Sequence, residues 1–312
     1  MATKMLGMNI KVNDSVLIPI IALIAIFIFP SHGLAKEISN LPLAIEKASH
    51  GESSYQSDLV DYYYNTTKNY TEAIKWSNTL IENHNARESE KEYANRILGY
   101  CAYKGTGLNK STEDAIKYWK QGVLFKGGSC ALSLARIYAK ELRDSVESIK
   151  WYQKSAELDN ATAALFLAQL YETGYVNGVN DKRIYYPNIS KDISLSAKYY
   201  EVYIKKMGYS GVPTNAKLLY KLAIWFYIGE ENIEMNYTKA FNYFNSAIEC
   251  NENSKAENKL TTTEEGNALW HISLCYRFGR GVEQDGLMSE RFLKRAFEKG
   301  NENAINLLKR KI

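Results

Sequence analysis

Residues 94–119 read ANRILGYCAYKGTGLNKSTEDAIKYW, and residues 268–300 read ALWHISLCYRFGRGVEQDGLMSERFLKRAFEKG. Both stretches place an alanine four residues before an apolar residue, then a Gly-x-Gly turn, then a second amphipathic segment. A phrase that recurs with drift every few tens of residues is typical of stacked helix pairs rather than of one globular core. The chain is therefore predicted to be an all-α repeat array.

Each repeat is predicted to consist of a helix A, a short turn and a helix B. In residues 94–119, Ala94, Leu98 and Cys101 fall at i, i+4 and i+7, which gives helix A one buried stripe. Gly105 is predicted to end that helix, because glycine tolerates the left-handed backbone of a helix stop, and Ser111 is placed to cap helix B. Similar pairs follow, giving about six repeats between residue 52 and a capping helix at residues 304–309.

Three segments interrupt the repeats. Residues 175–190 form an insertion that carries Tyr185 and Tyr186, and residues 208–214 and 251–263 are polar or glycine-containing linkers. The last linker ends in Thr262-x-x-Glu265, which is predicted to be the capping box of the next helix. Such interruptions are the places where an array is expected to carry a hinge or a mobile lip.

Residues 1–35 are predicted to be a signal peptide. Lys4 and Lys11 precede an apolar run over residues 16–29, and small residues at Gly33 and Ala35 suit a cleavage site. The apolar run is shorter than the roughly 20 residues that span a bilayer, although an uncleaved anchor remains the alternative. Residues 36–51 are then an N-terminal linker, and the mature chain is expected in the periplasm of a Gram-negative bacterium or outside the cell.

In the oxidising compartment expected for an exported chain, the four cysteines are candidates for disulfide bonds. Cys101 and Cys275 occupy the same place in two distant repeats, which do not touch in a solenoid, so these two are not expected to pair. Cys250 with Cys275 is the remaining disulfide candidate, and small buried residues are the alternative interpretation of all four.

The phrase Ala-x-x-x-Leu-Gly-x-x-Tyr-x-x-Gly-x-Gly-Val, followed by Ala-x-x-Tyr/Trp-x-x-Ala-x-x-Gly, resembles the Sel1-like repeat, a relative of the tetratricopeptide repeat. The resemblance is best over residues 94–119, 163–174 and 268–300. It implies a right-handed α/α solenoid whose A helices line a concave, protein-binding face. Exported relatives include envelope adaptors, virulence factors that contact host proteins, and periplasmic immunity proteins. A cysteine-rich branch associated with penicillin binding carries two cysteines in nearly every repeat, which this chain lacks.

Signatures of catalysis are missing from the sequence. It contains no His-Glu-x-x-His, no Gly-x-Ser-x-Gly, no Ser-x-x-Lys and no Walker loop. Both Gly-x-Gly turns follow helices rather than strands, so they are interpreted as helix stops, and His271 is interpreted as a packed residue. The formal net charge of +4, from 39 basic and 35 acidic residues, gives no basic stripe for nucleic acid. We therefore predict no enzyme, cofactor or metal site.

Binding residues are predicted beside the buried stripe of the A helices and on the insertion. Tyrosine and arginine dominate the energetic centres of protein interfaces, and the candidates are Tyr100, Tyr103, Arg136, Gln169, Tyr185, Tyr186, Tyr227 and Arg277. The alternative for each tyrosine is packing between repeats. The predicted function is a non-enzymatic scaffold, namely an immunity protein that occludes a toxin such as a secreted lipase effector. The alternative is an adaptor that binds an envelope sensor or a host protein.

Overall fold

The computed structural model describes residues 38–177, 183–186, 189–209, 215–251 and 256–310, so the predicted signal peptide lies outside the described residues. The helices are α1 Leu41–Ser49, α2 Ser53–Asp61, α3 Tyr70–Glu82, α4 Glu88–Lys104, α5 Thr112–Leu124, α6 Gly128–Lys140, α7 Ser145–Glu157, α8 Ala161–Thr173, α9 Ile193–Tyr209, α10 Ala216–Ile228, α11 Tyr237–Asn251, α12 Thr262–Phe278, α13 Gly286–Glu298 and α14 Glu302–Lys309. A π-helical turn, Tyr62–Thr66, extends α2, and a 3₁₀ turn, Ala256–Asn258, precedes α12.

Within the described residues, the helices form six successive pairs, from α2 with α3 to α12 with α13. We call the first helix of each pair an A helix and the second a B helix. B helices also pack on the A helix of the next pair at α3 with α4, α5 with α6, α7 with α8 and α11 with α12. Between α9 and α10 the rings of Tyr200 and Trp225 are in contact, so the array is continuous. The prediction of an all-α solenoid of about six helix pairs is confirmed.

Some A helices also pack on one another directly, at α2 with α4 and at α4 with α6. Direct packing requires the A helices to be closely spaced, which is the spacing expected on the concave side of a curved array. The surface that the A helices present is called the A-helix face below.

The predicted stripe of α4 is buried, because Ala94, Leu98 and Cys101 are each 0% exposed. Small residues let the paired helices approach each other. A Cβ added at Gly99 would lie 2.2 Å from Nε1 of Trp119 on α5, so the Trp119 indole occupies the space that a side chain would need.

The two glycines of each Gly-x-Gly turn have different structural roles. Gly279 caps α12 in the left-handed conformation, with φ of 64°. Gly281 also has positive φ, 74°, and an added Cβ would lie 2.2 Å from the backbone oxygen of Tyr237 at the start of α11. The first glycine therefore ends its own helix, and the second leaves room for the backbone of the preceding B helix. The interpretation of these turns as helix stops is confirmed.

Residues 36–51, expected to be a linker, contain helix α1. Asn40 caps this helix by accepting from the Leu43 amide, and Ala44 and Ala48, at i and i+4, are buried against α2. Burial of this small apolar stripe against α2 favours the helix, so α1 extends the packed array.

The insertion forms a two-stranded antiparallel hairpin of β1 Tyr175–Asn177 and β2 Arg183–Tyr185, with Tyr175 paired to Tyr185. Both tyrosines therefore lie on one face of the hairpin.

The capping box of α12 lies one residue earlier than predicted. Thr261 accepts from the Glu264 amide, and Glu264 accepts from the Thr261 amide. Because threonines and glutamates are consecutive here, the sequence allows the capping box in either register. In the observed register Leu260 is buried and Lys299 forms an ion pair with Glu265.

The four cysteines, all within the described residues, are thiols rather than disulfides. Cys275 is 0% exposed in the core, and the Cys250 thiol donates to the Ala247 carbonyl. The structure therefore does not join the candidate pair Cys250 and Cys275.

Candidate functional site

The candidate residues on A helices occupy two equivalent positions of the repeat. Three of them lie five residues before the residue that caps their helix: Tyr100, Arg136 and Gln169. Three others lie two residues before the cap: Tyr103, Tyr227 and Arg277. Positions three apart share one side of a helix, so all six belong to the A-helix face.

Their exposure differs along the array. Tyr103, Arg136 and Gln169 are half-buried, and Arg277 is exposed. Tyr100 and Tyr227, which were expected to project from the face, are only 7% and 8% exposed. These two tyrosines serve mainly as packing between repeats, which was the alternative considered for each tyrosine.

Three of the candidates meet in a cleft between α4 and α6, which we call the α4–α6 cleft. Its volume is ≈ 20 Å³, room for about one water molecule. The lining residues are Tyr100, Tyr103, Trp119, Ser133, Arg136, Ile137, Lys140 and Glu141. The cleft thus joins aromatic walls from α4 and α5 to a charged rim from α6.

The hydroxyl groups of the cleft are engaged within the protein. The Tyr100 hydroxyl lies 3.0 Å from Oγ of Ser133, which in turn donates to the Ser129 carbonyl. The Tyr103 hydroxyl donates to Oε1 of Glu141 at 2.7 Å. Burial and the neighbouring Glu141 carboxylate raise the pKa of Tyr103 to about 12, so this hydroxyl keeps its proton at neutral pH.

The aromatic walls are held by contacts with one another. The Tyr100 and Trp119 rings meet edge to face at 5.4 Å between centroids, and the Tyr103 ring lies 6.2 Å from Trp119. The Trp119 Nε1 donates to the Arg96 carbonyl at 3.3 Å. Because each ring is fixed before any partner arrives, binding against them costs little side-chain entropy.

A second aromatic cluster lies at the C-terminal end of the A-helix face. Arg280 donates to the Tyr227 hydroxyl at 2.8 Å and lies over the rings of Tyr237 and Phe278. His271 stacks on Phe244, 5.1 Å between centroids, and burial together with Arg280 lowers its pKa to about 4. His271 is thus a packed neutral residue, as predicted.

The hairpin separates its two tyrosines. Tyr185 is 64% exposed beside Tyr175, whereas Tyr186 is 8% exposed and packs edge to face on Phe166. Neighbouring residues of an extended chain point to opposite sides, so only Tyr185 is available as the predicted lip.

Several residues of these clusters were missed at the sequence level. Lys140 and Glu141 lie one helical turn beyond Arg136, so helical spacing offered a signal for them. The sequence offered no signal for Arg280, which lies between Gly279 and Gly281, because the matching position of the other Gly-x-Gly turn is Thr106.

Two further properties bound the chemistry of the described residues. They hold no group of three or more His, Cys, Asp or Glu side chains arranged for a metal ion. Among them, no helix combines the length and apolar character that crossing a membrane requires.

The fold and its pre-formed aromatic face define a class, the α-solenoid scaffold. Within it, the Sel1 repeat profile matches residues 62–80, 93–123, 131–160, 216–252 and 266–301. The chain belongs to the Sel1 repeat family. The pair α8 and α9, which carries the hairpin, falls between matched segments. Sel1 repeat proteins serve as protein-binding scaffolds.

The solved structures that are similar to the chain include two with related folds. One is c5321, a protective antigen of uropathogenic Escherichia coli strains with an SLR fold, at 21% identity over 86% of this chain and 50% of that chain, with a TM-score of 0.44. The other is a Sel1 repeat protein from Oxalobacter formigenes, at 18% identity over 81% of this chain and 86% of that chain, with a TM-score of 0.40. The chain thus spans half the length of the c5321 structure. No curated protein matches it.

Proposed function

We propose that the chain binds one protein partner along its A-helix face, with the α4–α6 cleft and Tyr185 as principal contacts. The observation that carries this proposal is the alignment of half-buried or exposed Tyr, Arg and Gln side chains at two equivalent positions of the A helices α4, α6, α8 and α12. Repeat arrays present extended surfaces of this kind.

The residue types of the face support a binding role. Tyr103 and Arg136 are partly exposed, and the Tyr103 hydroxyl is held by Glu141. Aromatic and arginine side chains supply most of the energy of protein interfaces, and rigid ones lose little entropy on binding. Tyr185 adds an exposed ring on an insertion that is not required by the repeat.

We further propose that the protein is exported to the periplasm and neutralises a toxin there by covering its active site. The charged, apolar and small-residue order of residues 1–35 supports export. The drift among the repeats supports a surface adapted to one partner, since repeat-to-repeat identity is not needed for packing alone.

Site-specific photocrosslinking tests the binding face. A photoreactive phenylalanine analogue placed at Tyr103 or Tyr185 is expected to capture the partner in an envelope extract. The matched controls carry the analogue at Lys117 or Lys150, which are 65% and 63% exposed on B helices. Equal capture from A-helix and B-helix positions would contradict the proposed face.

The identity of the captured protein tests the finer proposal. A secreted enzyme whose activity falls in proportion to added chain supports neutralisation by occlusion. Capture of a sensor, an assembly factor or a host protein through the same residues keeps the binding face and replaces the immunity role with that of an adaptor.

A further inference from the structure

Among the residues that line the α4–α6 cleft, the cations outnumber the anions. The lining contains two basic side chains, Arg136 and Lys140, and one acidic side chain, Glu141. Glu141 already accepts from the Tyr103 hydroxyl and lies 3.8 Å from Nζ of Lys140. The carboxylate of Glu141 is therefore balanced by Lys140, and the positive charge of Arg136 remains in excess.

The neutral donors of the cleft are committed elsewhere. The hydroxyls of Tyr100, Ser133 and Tyr103 and the indole N–H of Trp119 all have acceptors within the protein. The donors that an occupant of the cleft meets are those of the two cations. A cationic occupant would face like charges, and a neutral one would leave a guanidinium desolvated without an anion.

Arg136 is partly enclosed rather than extended into solvent. It is half-buried, and its guanidinium lies beside the Tyr152 hydroxyl. The Tyr152 ring stacks on Phe166 at 3.9 Å between centroids. A guanidinium carries five N–H donors in a fixed planar fork, so the contact with Tyr152 leaves donors for a second group.

The size of the cleft limits its occupant. A volume of ≈ 20 Å³ accommodates a group about as large as one water molecule, such as one oxygen of a carboxylate, and excludes an aromatic ring. The rest of a carboxylate side chain would stay outside this volume, at the side of the cleft where Tyr103 and Arg136 are partly exposed.

We propose that the α4–α6 cleft recognises an aspartate or glutamate side chain of the partner, whose carboxylate is bound by Arg136. This inference rests on the proposed function, since it assigns the partner chemistry of the same face. Arg136 would supply charge-assisted, bidentate hydrogen bonds, which are stronger and more specific than neutral ones.

A random dodecapeptide phage library tests the inference. It is selected on the chain from residue 36 onward, which contains every described helix. The selected peptides are expected to carry Asp or Glu at one fixed position. Changing that acid to its amide in a synthetic peptide is expected to weaken binding about tenfold, the usual scale for one charge-assisted hydrogen bond.

A double-mutant cycle separates recognition from loss of folding. In Arg136→Gln the same acid-to-amide change in the peptide is expected to have no further effect, and in Arg136→Lys an intermediate one. Arg291→Gln, an exposed position on the B helix α13 and outside the A-helix face, is the matched control and should leave the tenfold difference intact. Circular dichroism checks that each variant folds.

Peptides without a fixed acid, an additive cycle at Arg136, or no selected peptide that depends on the cleft would each overturn the inference. These outcomes leave the proposed function standing if Tyr103 and Tyr185 still capture the partner. Failure of the proposed function shows instead as crosslinking from B-helix positions.

Discussion

Replacing Gly281 by alanine is expected to loosen the contact between the last two repeats. The added methyl group would lie 2.2 Å from the carbonyl oxygen of Tyr237, 2.3 Å from its carbonyl carbon and 2.5 Å from the amide nitrogen of Thr238. All three are backbone atoms, so no side-chain rotation relieves the overlap. Helix α11 must move relative to α12 for the variant to fold.

The magnitude follows from two separate costs. Positive φ costs alanine about 1 kcal/mol relative to glycine. Relief of the overlap adds about 1–3 kcal/mol, the usual cost of overpacking a close contact. The matched control is Gly300→Ala, because Gly300 has φ of 76° but nothing within 4 Å of an added Cβ. The control carries the conformational cost alone.

Urea unfolding monitored by circular dichroism, together with amide hydrogen exchange in α11 and α12, measures the difference. Gly281→Ala should be less stable than Gly300→Ala by about 1–3 kcal/mol, with exchange accelerated first at this junction, since repeat arrays open locally. Equal stabilities within about 0.5 kcal/mol would refute the assignment of Gly281 to inter-repeat packing.

Three more outcomes are expected. The pKa of His271 is lowered to about 4 from 6.5, so as the pH falls the imidazole is protonated in the unfolded chain before it is protonated in the folded one, and the free energy of unfolding should drop by up to about 3 kcal/mol between pH 6.5 and 4. Urea titrations at several pH values should show that His271→Gln lacks this pH-dependent loss of stability. The same pH profile in the variant and the original chain would contradict the burial of a neutral His271. Iodoacetamide should label one thiol per folded chain, the half-buried Cys250, and all four in denaturant, as counted by mass spectrometry; rapid labelling of Cys101, Cys130 or Cys275 would show that their burial is wrong. Tyr186→Ser should lower the free energy of unfolding by about 2–4 kcal/mol through loss of buried contacts, whereas Tyr185→Ser should change it by no more than about 0.5 kcal/mol. Similar melting temperatures for the two variants would contradict the orientation of the hairpin.

Local patterns predicted the helices because the information they need lies within a few residues. The i, i+4, i+7 stripe of α4, the cap at Ser111 and the glycine stop at Gly105 all appear in the structure. Helix α1 was missed because its buried stripe consists of Ala44 and Ala48, and two alanines give only a weak apolar signal in the sequence. Their burial becomes evident only from the packing of α1 on α2.

The candidate site was only partly predictable. Helical spacing placed Tyr103, Arg136 and Arg277 on one face, but Tyr100 and Tyr227 have the same spacing and are buried by neighbouring helices. Whether a tyrosine beside the stripe is open depends on which side chain the next repeat presents to it, such as Ser133 or His271.

The sequence by itself determined that this chain is an array of helix pairs with glycine stops, because period, caps and breakers act over one or two turns of the chain. Only the tertiary structure decided which of its tyrosines remain exposed and how Tyr103, Trp119 and Arg136 meet in one cleft. Those contacts join residues of three different helices, and their distances are fixed by how the repeats stack rather than by any spacing along the chain.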